Sequence, residues 1–443
     1  MRFGIAQQEI TPPFPTSMAG YGARRDHFDR VNDPLTFTAI IIEEGEHRAL
    51  LGAADLCQFA DHECTRRLIE DLAKSIGCPE DNIMLNASHT HGGPKLPSYT
   101  AYYRRRYDTG AAERYAEWLA GKVLATVRKA TESLEDGTLW YGEGRTTLPI
   151  NRRLYRDGRM TMAPNPAGPV DDRLQLLLLR DASGALKAVG MKVSCHPVAT
   201  GAQHLLTADY PGAWRAEFQR AFGKKVTPFF LQGAGADARP RHTAQGDGWL
   251  QLKHEELSLV GQELLAECLQ VLTGTGLKPL ENLVLVGKTN TVSAPCEQRY
   301  TRKDELEQLL ERGGYEREYA EEAIALLEAG KPIPDHVEFQ VQTLWLNAEL
   351  ALIGLNAEPL CALGRYVESS VAPAHAILLG YTNGCICYAP DSQEMQRGGY
   401  ETESYLFSCW SGPLMPGLEK LLAAGVERLQ AQETIRLQRR LPW

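Results

Sequence analysis

The sequence predicts an α/β protein: a mixed sheet with parallel segments, flanked by helices. Three observations predict it. Apolar, β-branched runs alternate with stretches of helical spacing through the first half of the chain. Hairpin-like strand pairs recur three times, each broken by a short turn. Polar side chains stand where those apolar runs stop, at the place where sites gather in open α/β sheets.

The elements follow in order. Thr36–Glu44 (TFTAIIIEE), a turn at Gly45-Glu46-His47, and Ala49–Leu56 (ALLGAADL) read as the first hairpin. His62–Ile76 has helical spacing and stops at Gly77. Asn82–Ala87 is the next strand, so strand, helix, strand implies a parallel pair with a crossover. Leu174–Arg180, the turn Asp181-Ala182-Ser183-Gly184 and Ala188–Cys195 form a second unit, which runs into His196-Pro197. Val337–Asn347 and Leu350–Leu355 form a third, which runs into Asn356-Ala357-Glu358-Pro359. The units therefore end in Asp55, His196 and Glu358, and the strand after the first helix ends in His89 and His91. The segments between are dissimilar, so this is a shared grammar and not a sequence repeat. Thr301–Ala329, broken at Gly313-Gly314, reads as a helical hairpin inserted between strands, with a solvated charged face. Leu418–Gln430 reads as an amphipathic helix packed on the sheet. No linker composition marks a boundary, so residues 1–443 are expected to form one domain with a helical insertion at about 301–330.

Bulk properties narrow the function. The 443 residues carry a formal charge of -9 without a basic patch, which gives no footprint for nucleic acid or an anionic membrane. The N-terminus MRFGIAQQEITPP lacks the apolar core of a signal peptide, and no stretch is long enough to span a bilayer. The expectation is a cytoplasmic protein without a membrane anchor; a homo-oligomer stays open. The ten scattered cysteines, with no C-x-x-C pair, fit buried thiols better than disulfides or a Cys-based zinc site.

The segment NASHTHGGP carries the chemistry. If its strand continues through His89-Thr90-His91, strand alternation puts both imidazoles on one face, where both can serve one ion or one can handle protons. Alone, H-x-H also describes a surface pair. His196 and Glu358 add weight, because each ends an apolar strand and a buried carboxylate is costly unless paired or metal-bound. Three candidate ligands, each at a strand end, favour an open zinc site with three protein ligands and a water. Competing machinery is weak: there is no G-x-x-x-x-G-K, G-x-G-x-x-G, H-E-x-x-H or G-x-S-x-G. Ser88 beside His89 could imitate a serine hydrolase, but the two would point to opposite faces of a strand.

These residues resemble the neutral, non-lysosomal ceramidases, zinc amidases that cut the N-acyl bond of ceramide. The resemblance runs through ITPP and MAGYG, NASHTHGGP, Asn151-Arg152, CHPVAT, HLLTADYPG, FLQGAGADARP, GLNAEP, GYTNGCICYAP and GGYE, in family order. It implies zinc ligands at His89, His196, Glu358 and Tyr388. It further implies His91 as the proton handler, Arg152 as a substrate-holding cation and Tyr400 as a donor to the oxyanion. From the residues alone, Tyr388 reads as a strand-end aromatic and Arg152 as one member of an Arg-rich loop with Arg153 and Arg156.

The departures matter too. The family's G-D-V-S-P-N segment is Ala236-Asp237-Ala238-Arg239-Pro240-Arg241 here, so a small hydroxyl gives way to guanidinium groups. The signal sequence and C-terminal sandwich domain of secreted ceramidases are expected to be lacking, as is a long exposed apolar segment for lipid docking. The expected activity is therefore zinc-dependent hydrolysis of an amide or ester smaller and more polar than ceramide. The alternatives are a metal-dependent lyase or lactonase, or a non-catalytic metal- or ligand-binding protein. A free coordination position beside a cavity separates an enzyme from the last of these.

Overall fold

The structure is a computed structural model and describes residues 1–438 apart from residues 23, 25 and 99–108. Strand β1 (Arg2–Glu9) pairs antiparallel with β2 (Thr36–Glu44), which turns at Gly45 into β3 (His47–Ala54). Gly45 sits at φ 57°, a left-handed conformation that glycine enters without a Cβ clash. Helix α1 (His62–Ile76) starts where the Asp61 carboxylate accepts from the Cys64 amide at 3.0 Å, and ends at Gly77 with φ 67°. It buries Leu68, Leu72 and Ile76 and returns the chain to β4 (Ile83–Ala87), parallel to β3.

Helix α2 (Thr109–Glu132) leads into β5 (Glu135–Arg145), β6 (Pro149–Arg156), β7 (Arg159–Asn165) and the hairpin β8 (Arg173–Asp181) and β9 (Leu186–Val193). Helix α3 (Asp209–Phe222) crosses to β10 (Thr227–Gln232), parallel to β9, and β11 (Ala238–Pro240) and α4 (His254–Thr273) follow. After β12 (Val286–Pro295) come α5 (Lys303–Leu310) and α6 (Gly314–Glu328), the helical pair expected between strands. The third hairpin is β13 (His336–Trp345) with β14 (Leu350–Leu355), followed by the two-residue β15 (Glu358–Pro359). Helix α7 (Cys361–Ser369) crosses to β16 (His375–Leu379), parallel to β14, before the two-residue β17 (Tyr388–Ala389) and the long helix α8 (Leu418–Gln438).

Hairpin, crossover helix, parallel strand is thus built three times. The mixed sheet read from the sequence is present, with its strands divided between two sheets. One is nine-stranded, ordered β10-β9-β8-β5-β1-β2-β3-β4 with Lys278–Pro279 added beside β5; the other is β12-β13-β14-β16. The sheets share one apolar layer, formed by Phe3, Ile40, Met84, Leu177, Phe229, Leu352 and Ile377. Helices cover the outer faces: α1 and α2 over β2 and β4, α3 and α4 over β8 to β10, and α5 to α8 over the second sheet. Strands buried on both faces carry unbroken apolar runs, which explains why LQLLLLR and ALIGL lack alternation.

The three parallel strands are tied together at their carboxyl ends. The Asn86 amide donates to Gly380 O at 2.7 Å and to Gln232 O at 3.3 Å, and its oxygen accepts from Gln232 N at 2.8 Å. A fully buried amide satisfied this way fixes the ends of β4, β10 and β16 against each other. The site lies just beyond that knot.

Candidate functional site

His89 is not on a strand. β4 stops at Ala87, and His89 adopts φ 64°, a left-handed conformation uncommon outside glycine. The expected strand alternation therefore fails, and a turn brings the two histidines together instead: His91 Nε2 lies 3.2 Å from His89 Nε2. The turn is held by Ser88 N donating to Ala54 O at 2.9 Å and His89 N to Leu56 O at 2.8 Å. The His89 ring stacks on Tyr381, with centroids 4.1 Å apart, and its Nδ1 donates to Cys57 O at 2.7 Å.

His196 arrives from the end of β9. Its Nδ1 donates to Gly235 O at 2.8 Å, and its own amide donates to Ala238 O at 3.0 Å. Gly235 permits this approach, because a Cβ there would stand 2.3 Å from Cys195 N. Glu358 begins β15, which pairs in parallel with β17 so that Glu358 faces Tyr388. Glu358 Oε2 lies 3.2 Å from His89 Nε2 and 3.5 Å from His196 Nε2. His89, His196 and Glu358 form a group able to hold a metal ion, and Cys57, His89 and His91 form another that shares His89.

The tautomers follow from the partners. A carbonyl only accepts, so both Nδ1 atoms carry their protons on Cys57 O and Gly235 O, and each Nε2 is left to face the carboxylate. His196 Nε2 is buried and finds no hydrogen-bond partner. Burial opposes a charge on His89, but the Glu358 carboxylate and the Cys57 sulfur lift its pKa to about 10. Burial and the Arg152 charge push His196 down to about 3. Burial would raise Glu358, yet the two histidines hold it well below the usual carboxylate range. The carboxylate and the His89 imidazole thus favour each other's charged forms. A divalent cation held here would compete with protons for the same atoms, so its uptake would release protons.

The other expected residues surround this group. Arg152 lies on β6 and not in a loop; its Nε donates to Glu401 Oε1 at 2.9 Å and its guanidinium to the Tyr388 hydroxyl at 3.3 Å. Arg153 also engages Glu401 and donates to Glu394 at 2.6 Å, so both guanidinium groups are buried and paired. Tyr400 meets the Tyr388 ring edge-on, with centroids 5.5 Å apart. A cavity of about 80 Å³ opens beside the ligand group, lined by His89, His91, Glu358, Tyr388, Tyr400 and Phe407. The His91 ring packs against Tyr21 at 4.8 Å and over Gly20, where a Cβ would stand 2.3 Å from the imidazole.

One strand-end residue stands outside the ligand group. Asp55 is no metal ligand: its oxygens accept from Arg215 at 2.8 and 2.6 Å and from Thr36. Arg241, one of the guanidinium groups of the departing segment, is paired with Glu263 at 2.6 Å. Ser88 is buried, and its hydroxyl accepts from Thr90 N at 3.4 Å, an arrangement without a histidine base. The sequence reading missed Cys57, Tyr381 and Glu401. Tyr381 was findable, because it opens the same GYTNGCICY segment that supplies Tyr388.

No protein-family model matches the chain. Neutral ceramidase from Pseudomonas aeruginosa is 24% identical over 280 residues, covering 61% of this chain and 42% of that protein. The crystal structure of that neutral ceramidase superposes with a TM-score of 0.73 at 18% identity, covering 97% of this chain and 74% of that one. A ceramidase complexed with C2 gives a TM-score of 0.72 at 17% identity, covering 97% of this chain and 75% of that one. The aligned region spans less than half the length of the curated relative. Fold and site together define an α/β protein with a potential metal centre at strand ends. By sequence and by fold, it is neutral ceramidase-like.

Proposed function

We propose that the chain is a zinc-dependent amidohydrolase with ceramidase-like chemistry, acting on an acyl amide or ester smaller and more polar than ceramide. One observation carries the reading: two imidazole Nε2 atoms and a carboxylate oxygen from three distant segments cluster together, Glu358 Oε2 standing 3.2 Å from His89 Nε2 and 3.5 Å from His196 Nε2. Nitrogen and oxygen donors of this kind suit zinc, and the unpartnered, buried His196 Nε2 fits a ligand role. His89, His196 and Glu358 would hold the ion, with Tyr388 beside Glu358 as the fourth group. When bound, zinc supplies Lewis acidity at the scissile carbonyl and lowers the pKa of a water to roughly 7.

The chain's own residues do the rest. His91 Nε2, aimed at the ligand group, accepts the water's proton and returns it to the leaving nitrogen. Tyr400 donates from the cavity wall to the carbonyl oxygen as negative charge develops there. Arg152, fixed by Glu401, orients the Tyr388 phenol and adds positive potential. The cavity of about 80 Å³ suits a short acyl amide. It falls far below the roughly 300–1,000 Å³ of pockets that enclose drug-sized ligands.

The test is an assay of metal-stripped and zinc-restored protein on short N-acyl amides beside ceramides. Short amides should be cleaved only after zinc is restored. Metal-independent cleavage would overturn the zinc reading, and faster ceramide turnover would overturn the small-substrate reading. Tyr400→Phe should retain its zinc and lose about 10²–10³ in kcat, the usual effect of deleting one oxyanion donor. His91→Ala should likewise bind zinc while kcat falls about 10²–10⁴-fold, which separates it from its neighbour His89.

A further inference from the structure

We propose that Arg239 anchors a carboxylate on the substrate, so that the amide cleaved is an N-acyl amino acid or a similar monoanion. The proposal rests on the hydrolase reading above for the bond that is cut, but not for the anion that is bound.

Arg239 lies on β11 beside the His196 segment, where Ala238 O accepts from the His196 amide at 3.0 Å. Its guanidinium sits over the Trp249 ring, 4.4 Å from the centroid, and its Nε is buried without a hydrogen-bond partner. Tyr21, which meets the His91 ring at 4.8 Å, and Arg152 both interact electrostatically with it. Arg239 is therefore one residue from the contact that holds the His196 segment and within electrostatic range of Tyr21 and Arg152. Asp209 also lies within reach of its field, but that carboxylate is engaged elsewhere. It accepts from the amides of Ala199, Thr200 and Tyr210 at 3.1, 3.0 and 2.8 Å.

Charge matching sets Arg239 apart from Arg152, Arg153 and Arg241. Arg152 is paired with Glu401, Arg153 with Glu394 and Glu401, and Arg241 with Glu263. Among the described residues no carboxylate lies within ion-pair distance of Arg239. Burial and the like charge of Arg152 press against its cationic form. A largely buried guanidinium without a counter-charge is costly, and a bound anion removes the cost. Its planar donor edge matches a carboxylate, while the Trp249 face holds the plane in place. A single carboxylate on the substrate would match this guanidinium.

The experiment is calorimetric titration of the zinc-loaded chain with 4-oxopentanoate and with 4-oxopentanamide, the analogues of N-acetylglycine and its amide in which a CH2 replaces the scissile N–H; the two are near-isosteric and only the first carries a charge. Wild type should bind the carboxylate at least about tenfold more tightly, the effect of one charge-assisted hydrogen bond. Arg239→Ser should bring that ratio close to one, and Arg239→Lys should restore part of it. Should the serine variant fail to fold, Arg239→Gln carries the same comparison. Equal wild-type affinities, or a ratio unchanged in the variants, would overturn the proposal. The CH2 replacing the scissile N–H leaves no acyl bond to cut, so binding is read without turnover, and absence of amide cleavage in a separate assay would sink the hydrolase reading alone.

Discussion

Glu358→Ala is expected to lose bound zinc and at least about 10³-fold in kcat/KM, because Lewis-acid stabilisation is worth several kcal/mol and each 1.36 kcal/mol is tenfold. Glu358 supplies the negative charge in the His89–His196–Glu358 group. Without it, two neutral imidazoles and a phenol would have to desolvate a divalent cation. Asp55→Ala provides the contrast, since that carboxylate also follows an apolar strand but serves Arg215. Removing it should lower stability by about 3–5 kcal/mol, as breaking a buried pair does, and leave the zinc content at the wild-type value. Metal analysis, kcat/KM and thermal denaturation of both variants check the pair of outcomes. Equal zinc in Glu358→Ala and wild type would contradict the ligand assignment.

Glu401→Ala should have the largest effect on stability, about 3–5 kcal/mol or more, because it leaves two buried cations without their shared partner. Glu401 receives Arg152 at 2.9 Å and also engages Arg153, and all three side chains are buried. Burial would raise its pKa, and the two guanidinium groups hold it below the ordinary value instead. Activity should fall with stability, since Arg152 reaches the Tyr388 hydroxyl at 3.3 Å from a position that Glu401 fixes. Glu401→Gln keeps acceptor capacity without the charge and should fall between wild type and alanine. Denaturant unfolding measures the first effect, and kcat measured well below the unfolding midpoint measures the second. Wild-type stability in Glu401→Ala would show that Arg153, through Glu394, carries the network alone.

Much of the frame was legible because strands announce themselves locally. The three hairpins, the crossover helix at His62–Ile76 and the helical pair between β12 and β13 all follow from runs, turns and spacing. His196 and Glu358 were legible for the same reason: each is a polar group placed where an apolar strand stops. The rest depended on contacts between distant segments. Arg152 and Glu401 are separated by 249 positions, and no local pattern links them. Asp55 looked like Glu358 until the arrival of Arg215 on α3 claimed it. His89 and His91 met by a left-handed residue at His89 and not by strand alternation, a conformation that a histidine does not advertise. Tyr388 came from the family resemblance, because a phenol at a strand end has an ordinary packing role as well.

The central claim is that three residues, from the ends of β4, β9 and β14, share one cation. Anomalous diffraction at the zinc edge from crystals of the zinc-loaded chain tests it most directly. The account predicts a peak about 2.0–2.1 Å from His89 Nε2 and His196 Nε2, and about 2.0–2.2 Å from a Glu358 oxygen. A peak at another cluster, or no peak in crystals of active protein, would contradict it.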